Sequence, residues 1–163
     1  MSHSNVFVLL LVVENKDDAF LFVRAAASTD SVRVICVASG EEAKDYLLGA
    51  GSFAQREVYP FPNAIVTDVA ILIADGSPLT HWIRNQSSFA GIPVAMLTAS
   101  LISSDQFRAF EAGANRFFSK PVSVQDYRTL IKALTKFFRE VWDSTEESRE
   151  IRLDEIAAIQ SVA

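Results

Sequence analysis

Asp68 is the residue whose surroundings in this sequence point most strongly to chemistry. It lies in the apolar run Ala64–Ala74, where Thr67 is the only other polar side chain. An ionised carboxylate in such a run is costly unless a cation or hydrogen-bond donors accompany it. Lys120 or a bound metal ion could supply that partner. Taken alone, Asp68 could equally serve stability through a salt bridge. The other residues near it must distinguish this structural role from a functional one.

Four chemically useful side chains stand where predicted buried strands end. In doubly wound parallel sheets, ligands collect beyond the carboxyl ends of the strands. One sheet edge is therefore predicted to gather two carboxylates, a hydroxyl and an ammonium group, which favours a functional role for Asp68. The four residues are Glu14, Asp68, Thr98 and Lys120.

The elements that position these residues alternate between β-type and helical patterns five times. This alternation is typical of βα units, and we predict a five-stranded, doubly wound parallel α/β sheet with a C-terminal helical extension. The predicted strands are Val6–Val13, Val32–Val37, Ala64–Asp68, Pro93–Leu97 and Asn115–Ser119. The predicted helices are Asp17–Ser28, Gly40–Gly49, Pro78–Gln86, Ser104–Ala112 and Val124–Val141.

Several residues mark where these helices begin and end. Ser39 precedes two acidic residues and is predicted to be an N-cap, and Ser77 precedes Pro78 at a predicted first helical position. Gly49 and Gly113 are suited to end helices.

Length and composition favour one domain. The chain has 163 residues, of which 50% are hydrophobic and 21% charged, so a disordered body is excluded. Its longest apolar run, Val6–Val13, is too short to span a bilayer, and the first residues lack the basic start of a secretory signal. A single cysteine, Cys36, excludes an internal disulfide and fits a cytoplasmic location, and we predict that it is a core residue of the second strand.

Charge is distributed unevenly along the chain. Residues 1–142 hold 13 basic against 14 acidic side chains, whereas residues 143–163 hold 2 against 6. No basic stripe supports direct binding of nucleic acid, and nothing indicates a membrane partner. We predict a main domain over 1–142 and an acidic linker with a short C-terminal helix over 143–163. This tail is either a frayed terminus or a docking or dimerising segment, which leaves a homodimer open.

The ordered set of motifs resembles the response-regulator receiver domain of two-component signalling, a CheY-like fold, and more narrowly its stand-alone type. The resemblance runs from about Val6 to Phe138. The matching segments are Leu10–Asp18, Gly40–Leu48, Asn63–Asp68, Asp75–Gly76, Ile92–Ala99, Glu111–Asn115 and Phe118–Val122.

The resemblance implies a role for each site residue. Asp68 would be the phosphoacceptor and Lys120 would pair with the phosphoryl oxygens, while Thr98 would hydrogen-bond them. The small Ala99 would leave room for the phosphoryl group, and Phe117 would occupy the aromatic switch position. Two further implications are a cis Lys120–Pro121 peptide bond, and Mg²⁺ ligation by Glu14, Asp68 and the backbone carbonyl of Ala70.

Departures from the family pattern predict weak Mg²⁺ binding. The usual pair of acids after the first strand is replaced by Val13 and Glu14, and the loop after Asp68 is apolar, with Ala70 and Leu72 where a polar residue and a proline are usual. Mg²⁺ requires near-octahedral oxygen ligation, so losing a carboxylate should weaken it. Phosphorylation is then expected to be slow, to be only weakly supported by Mg²⁺, or to be absent.

Two functional hypotheses follow from the matches and the departures. In the first, a histidine kinase or phosphotransfer protein phosphorylates Asp68, and a conformational switch signals to a partner protein. In the second, the chain is a phosphorylation-independent pseudo-receiver that acts as an interaction module. Neither makes it an enzyme beyond self-catalysed phosphotransfer and dephosphorylation at Asp68. A hydrolase using Asp68 as nucleophile would need an acid at position 70, where this chain has Ala70.

Overall fold

The computed structural model of the chain describes residues 6–29, 31–69, 71–99 and 113–161, with only the backbone described over 144–161. The strands are β1 Phe7–Val12, β2 Val32–Val37, β3 Ala64–Asp68, β4 Val94–Thr98 and β5 Arg116–Ser119. The helices are α1 Lys16–Ala26, α2 Gly40–Leu48, α3 Leu79–Arg84 and α4 Val124–Ser161, with a short 3-10 turn at Gly51–Phe53. The predicted helix Ser104–Ala112 lies outside the described residues.

The five strands form one parallel sheet in the order β2-β1-β3-β4-β5. Successive side chains of a strand point to opposite faces, and β1 divides its apolar residues accordingly. Leu9, Leu11 and Val13 pack in the core cluster that also holds residues of α1 and α4. Leu10 and Val12 pack in a second cluster with residues of α2 and α3. The predicted doubly wound fold is confirmed.

Two of the predicted helix signals are confirmed and one is wrong. The Ser39 hydroxyl accepts a hydrogen bond from the Glu42 amide, and Gly49 ends α2 with a φ of 65°. The third helix, however, begins at Leu79 with Pro78 as its N-cap, because the Ser77 hydroxyl donates to the Asp75 carboxylate instead of capping the helix.

The C-terminal segment differs from the prediction of a linker before a short helix. Helix α4 runs without a break from Val124 to Ser161, through the acidic stretch expected to be a linker. Its 38 residues correspond to a length of about 57 Å. The sequence there has no proline or glycine to end the helix, and so the extension after position 143 is helical. No helix in the described part of the chain is both long and apolar enough to cross a bilayer.

Cys36 is a second correction. It is exposed, not part of the core. Strand β2 is at the edge of the sheet, and the side chains of an edge strand are less completely covered than those of a central strand.

Candidate functional site

Asp68 is placed at the carboxyl edge of the sheet by the register of β3. It is the last residue of that strand and pairs with Leu97 of β4, so its side chain emerges where the sheet opens to solvent. The carboxylate is about one fifth exposed, with a side-chain accessibility of 19%. On the other side of β3, Val12 is in register with Thr67, which brings the end of β1 beside Asp68. The phosphoacceptor candidate is thus semi-buried between two strand ends.

Lys120 approaches Asp68 from the end of β5. Its backbone amide donates to the Thr98 carbonyl at 2.8 Å, which fixes the start of the loop after β5 against the end of β4. Its Nζ then lies 2.5 Å from Asp68 Oδ2. The predicted convergence of the carboxylate and the ammonium group is confirmed by this geometry.

A second carboxylate, from Asp18, contacts the same ammonium group. Asp18 Oδ2 lies 3.0 Å from Lys120 Nζ, and Asp18 Oδ1 accepts from the Tyr127 hydroxyl at 3.4 Å. Asp18 is in the first turn of α1, whose N-cap Asn15 accepts hydrogen bonds from the amides of Asp17 and Asp18. Lys120 therefore bridges one acid from β3 and one from α1.

The charges of the site alter the pKa of two of its members. Partial burial opposes the charged form of Lys120, but hydrogen bonds and charge interactions with Asp68 and Asp18 outweigh burial and raise the pKa of its ammonium group. Burial, followed by the negative charge of Asp18, raises the pKa of Tyr127 to about 12. At neutral pH the site holds an ammonium ion between two acids and a neutral phenol.

The remaining predicted residues lie on the same edge. Thr98 ends β4 and is buried, and Ala99 follows it on the surface. Phe117 is half-buried in β5, against the small cluster of Met96 and Ala114. The roles expected of these three residues stay predictions.

The expected cis peptide bond is wrong for this structure. None of the peptide bonds among the described residues is cis, and Lys120–Pro121 is therefore trans. The trans form is the lower-energy isomer even before proline, by about 0.5–1 kcal/mol. The contact between Lys120 and Asp68 is made with this peptide bond in the trans form.

The expected Mg²⁺ ligation by Glu14, Asp68 and the Ala70 carbonyl stays a prediction. Glu14 is exposed after β1, Val13 is buried and offers no oxygen from its side chain, and Ala70 lies outside the described residues. Among the described residues, no group of three or more His, Cys, Asp or Glu side chains is arranged to hold a metal ion. Mg²⁺ prefers near-octahedral oxygen ligation, and of the predicted ligands Glu14 and Asp68 are those with a side-chain carboxylate to offer it.

Sequence reasoning missed Asp18 and Tyr127. Asp18 stands four residues after Glu14, on the first turn of the helix that leaves the site, and Tyr127 stands seven residues after Lys120, on the first turn of α4. A search of first-turn positions after each strand end, in addition to the strand ends themselves, would have found both residues.

Comparison with known proteins identifies the architecture. The family model of the response regulator receiver domain matches residues 10–132. The chain belongs to this family. Receiver domains are modules of two-component signalling that in general carry no enzymatic activity of their own, and they typically bind Mg²⁺ at an acidic pocket.

Individual relatives of this receiver domain are distant in sequence. It is 26% identical over 136 residues to the probable methanogenesis regulatory protein FilR2 of Methanothrix harundinacea, covering 81% of this chain and 83% of that protein. The solved structure of the phosphorylated cyanobacterial phytochrome response regulator RcpA matches with a TM-score of 0.70 and 25% identity, covering 82% of this chain and 94% of that one. The Mn²⁺-bound response regulator Rcp1 matches with a TM-score of 0.67 and 25% identity, covering 81% and 94%.

Several other curated relatives are longer proteins. This receiver domain spans between 12% and 59% of the length of four of them. The chain therefore matches only part of each of these four proteins.

Proposed function

We propose that this receiver domain accepts a phosphoryl group on Asp68 from a phosphohistidine of a histidine kinase or phosphotransfer protein. The observation that carries the proposal is the contact between Lys120 Nζ and Asp68 Oδ2 at the open edge of the sheet. An Asp68 oxygen attacks phosphorus, the new P–O bond forms as the P–N bond breaks, and the imidazole nitrogen keeps the electron pair and takes up a proton.

Lys120 supplies the electrostatic part of this reaction. Negative charge spreads over the phosphoryl oxygens during transfer, and an ammonium group beside them stabilises it. The Thr98 hydroxyl at the end of β4 would hydrogen-bond the product, Ala99 would leave room for it, and Phe117 would respond from β5. Phosphorylation would then shift the domain toward a second conformation.

Exposed apolar side chains around this edge support docking of a protein partner. Phe20 on α1 is 61% exposed, and Val122, two residues after Lys120, is 89% exposed. A phosphohistidine must reach Asp68 through the mouth that these elements border. We place the partner surface there, and we place the protein in the cytoplasm, where histidine kinases present their phosphoryl groups.

We propose that residues 1–142 form the receiver unit and that α4 extends beyond it. Residues 143–163 would serve as a docking or dimerising segment, since the helix continues past the body of the domain.

Weak Mg²⁺ binding is part of the same proposal. With Val13 in place of an acid, Mg²⁺ held by Glu14, Asp68 and the Ala70 carbonyl would bind weakly, and phosphorylation would be slow. The same residues favour the second candidate, a pseudo-receiver whose partner contacts do not need phosphate.

The test is incubation of the parent chain and of Asp68→Asn with acetyl phosphate and millimolar Mg²⁺. Asp45→Asn, on α2, serves as a control that removes a carboxylate elsewhere. We expect intact-protein mass spectrometry to detect one added phosphoryl group in the parent and the control only. The pseudo-receiver replaces the proposal if the parent gains none and Asp68→Asn binds its partner as the parent does.

A further inference from the structure

The Lys120 ammonium group is held by two acids of different origin. Asp68 comes from the sheet, and Asp18 comes from α1, with Oδ2 atoms 2.5 and 3.0 Å from Nζ. All three side chains are between 19% and 24% exposed, so water screens these contacts only in part. Lys120 is the flexible member, since a lysine side chain has about 2 kcal/mol of rotamer entropy to lose.

Asp18 is itself fixed from two directions. The Asn15 side chain accepts from the Asp18 amide at 3.1 Å, which sets the backbone at the start of α1. The Tyr127 hydroxyl donates to Oδ1, leaving Oδ2 for Lys120. Tyr127 is fully buried and packs edge-on against Phe22, with ring centroids 6.2 Å apart. The carboxylate that anchors Lys120 is therefore attached to the packed core between α1 and α4.

In the described part of the chain, no acid at the end of β1 makes an ion pair with the Lys120 ammonium group. Val13 is 4% exposed and lies in the core cluster that contains Phe22 and Tyr127. Glu14 is exposed, and the carboxylates that contact Lys120 Nζ are those of Asp18 and Asp68.

We infer that Asp18 is a positioning residue, which holds the Lys120 ammonium at the phosphoacceptor in place of an acid at position 13. The inference rests on the proposed function. When Asp68 becomes an acyl phosphate, the carboxylate oxygen that bonds to phosphorus loses its charge and the negative charge moves out to the phosphoryl oxygens. Lys120 must then shift outward, and Asp18 keeps it at the mouth of the site during that shift.

The test compares Asp18→Asn with Asp17→Asn. Both variants remove one acid from the first turn of α1, so both lose the same favourable interaction with the helix dipole. Only Asp18 contacts Lys120. We expect Asp18→Asn to slow acyl phosphate formation from acetyl phosphate by about tenfold, as loss of one charge-assisted contact would do, and Asp17→Asn to leave the rate unchanged.

A second readout follows Lys120 directly. The pKa of its ammonium group, measured by NMR of labelled lysine side chains, should fall in Asp18→Asn and stay as in the parent in Asp17→Asn, because one of the two neighbouring negative charges is lost. Asp18→Glu should restore part of both properties. Tyr127→Phe, which removes the hydroxyl that orients Asp18, should change both in the same direction but less, and serves if Asp18→Asn fails to fold.

The inference is overturned if Asp18→Asn leaves either the rate or the Lys120 titration unchanged, if it speeds the reaction, or if Asp17→Asn has the same effects. If the parent chain takes up no phosphoryl group, the proposed function fails. The Lys120 titration then decides alone whether Asp18 positions this lysine.

Discussion

Replacing Lys120 with methionine should destabilise the protein by an amount that the geometry sets. The substitution leaves the carboxylates of Asp18 and Asp68 facing each other. Because their Oδ2 atoms lie 3.0 and 2.5 Å from the same nitrogen, they cannot be more than 5.5 Å apart. Two like charges at that separation repel by about 3 kcal/mol at an effective dielectric constant of about 20. In the parent the Lys120 ammonium group compensates this repulsion. Without it two partly buried carboxylates are left uncompensated, so the free energy of unfolding should fall by about 3 kcal/mol.

The assay is urea denaturation at neutral pH, followed by the helical circular dichroism signal. Lys44→Met is the matched control. Lys44 Nζ lies 3.8 Å from Glu41 on the surface of α2 and makes no second ion pair within 4.0 Å among the described residues, so its loss should cost about 1 kcal/mol or less.

A second substitution tests the cause. Asp68→Asn in the Lys120→Met background removes one of the two facing charges and should restore about 3 kcal/mol of stability. The reasoning is refuted if the free energy of unfolding of Lys120→Met lies within about 0.5 kcal/mol of that of the parent. It is also refuted if Asp68→Asn restores no stability in the Lys120→Met background.

Three further predictions concern other parts of the site and its support. Folding raises the pKa of Tyr127 to about 12, so its neutral phenol contributes stability that is fully present below about pH 10 and is lost between pH 10 and 12. The urea midpoint of the parent should therefore fall faster over this range than that of Tyr127→Phe. Equal falls would contradict this prediction. Gly40→Ala should cost about 1–3 kcal/mol in urea denaturation, because a Cβ at Gly40 would lie 2.5 Å from the Leu72 carbonyl oxygen; Gly91→Ala, with nothing within 4 Å, is the control, and equal losses would refute the steric cause. Val13→Asp should tighten Mg²⁺ binding by roughly tenfold in calorimetric titration by adding a carboxylate, at some cost in core stability, and an unchanged affinity would contradict the explanation of weak binding.

The sheet was predictable from the sequence because its strands, β5 apart, are mainly apolar segments. Val32–Val37 and Ala64–Asp68 have the predicted bounds, and the other three strands differ by one residue at one or both ends. The caps at Ser39 and Gly49 are local hydrogen-bond and φ preferences, which a short stretch of sequence specifies.

Contacts that depend on side-chain reach between elements were harder to predict. Asp18 and Lys120 are 102 residues apart, and only the folded sheet and helix bring them together. The exposure of Cys36 depends on which strand is at the sheet edge, and an apolar run does not reveal this. The polar residues after position 143 resembled a linker, although none of them ends a helix.

The most direct test of phosphorylation at this site is chemical mapping of the acyl phosphate. After treatment with acetyl phosphate, borohydride reduction converts a phosphorylated aspartate to homoserine, which peptide mass spectrometry locates. The conversion should occur at Asp68, and it should be lost in Lys120→Met while the Lys44→Met control retains it. Conversion at another aspartate, or at none, would contradict the role assigned to Asp68.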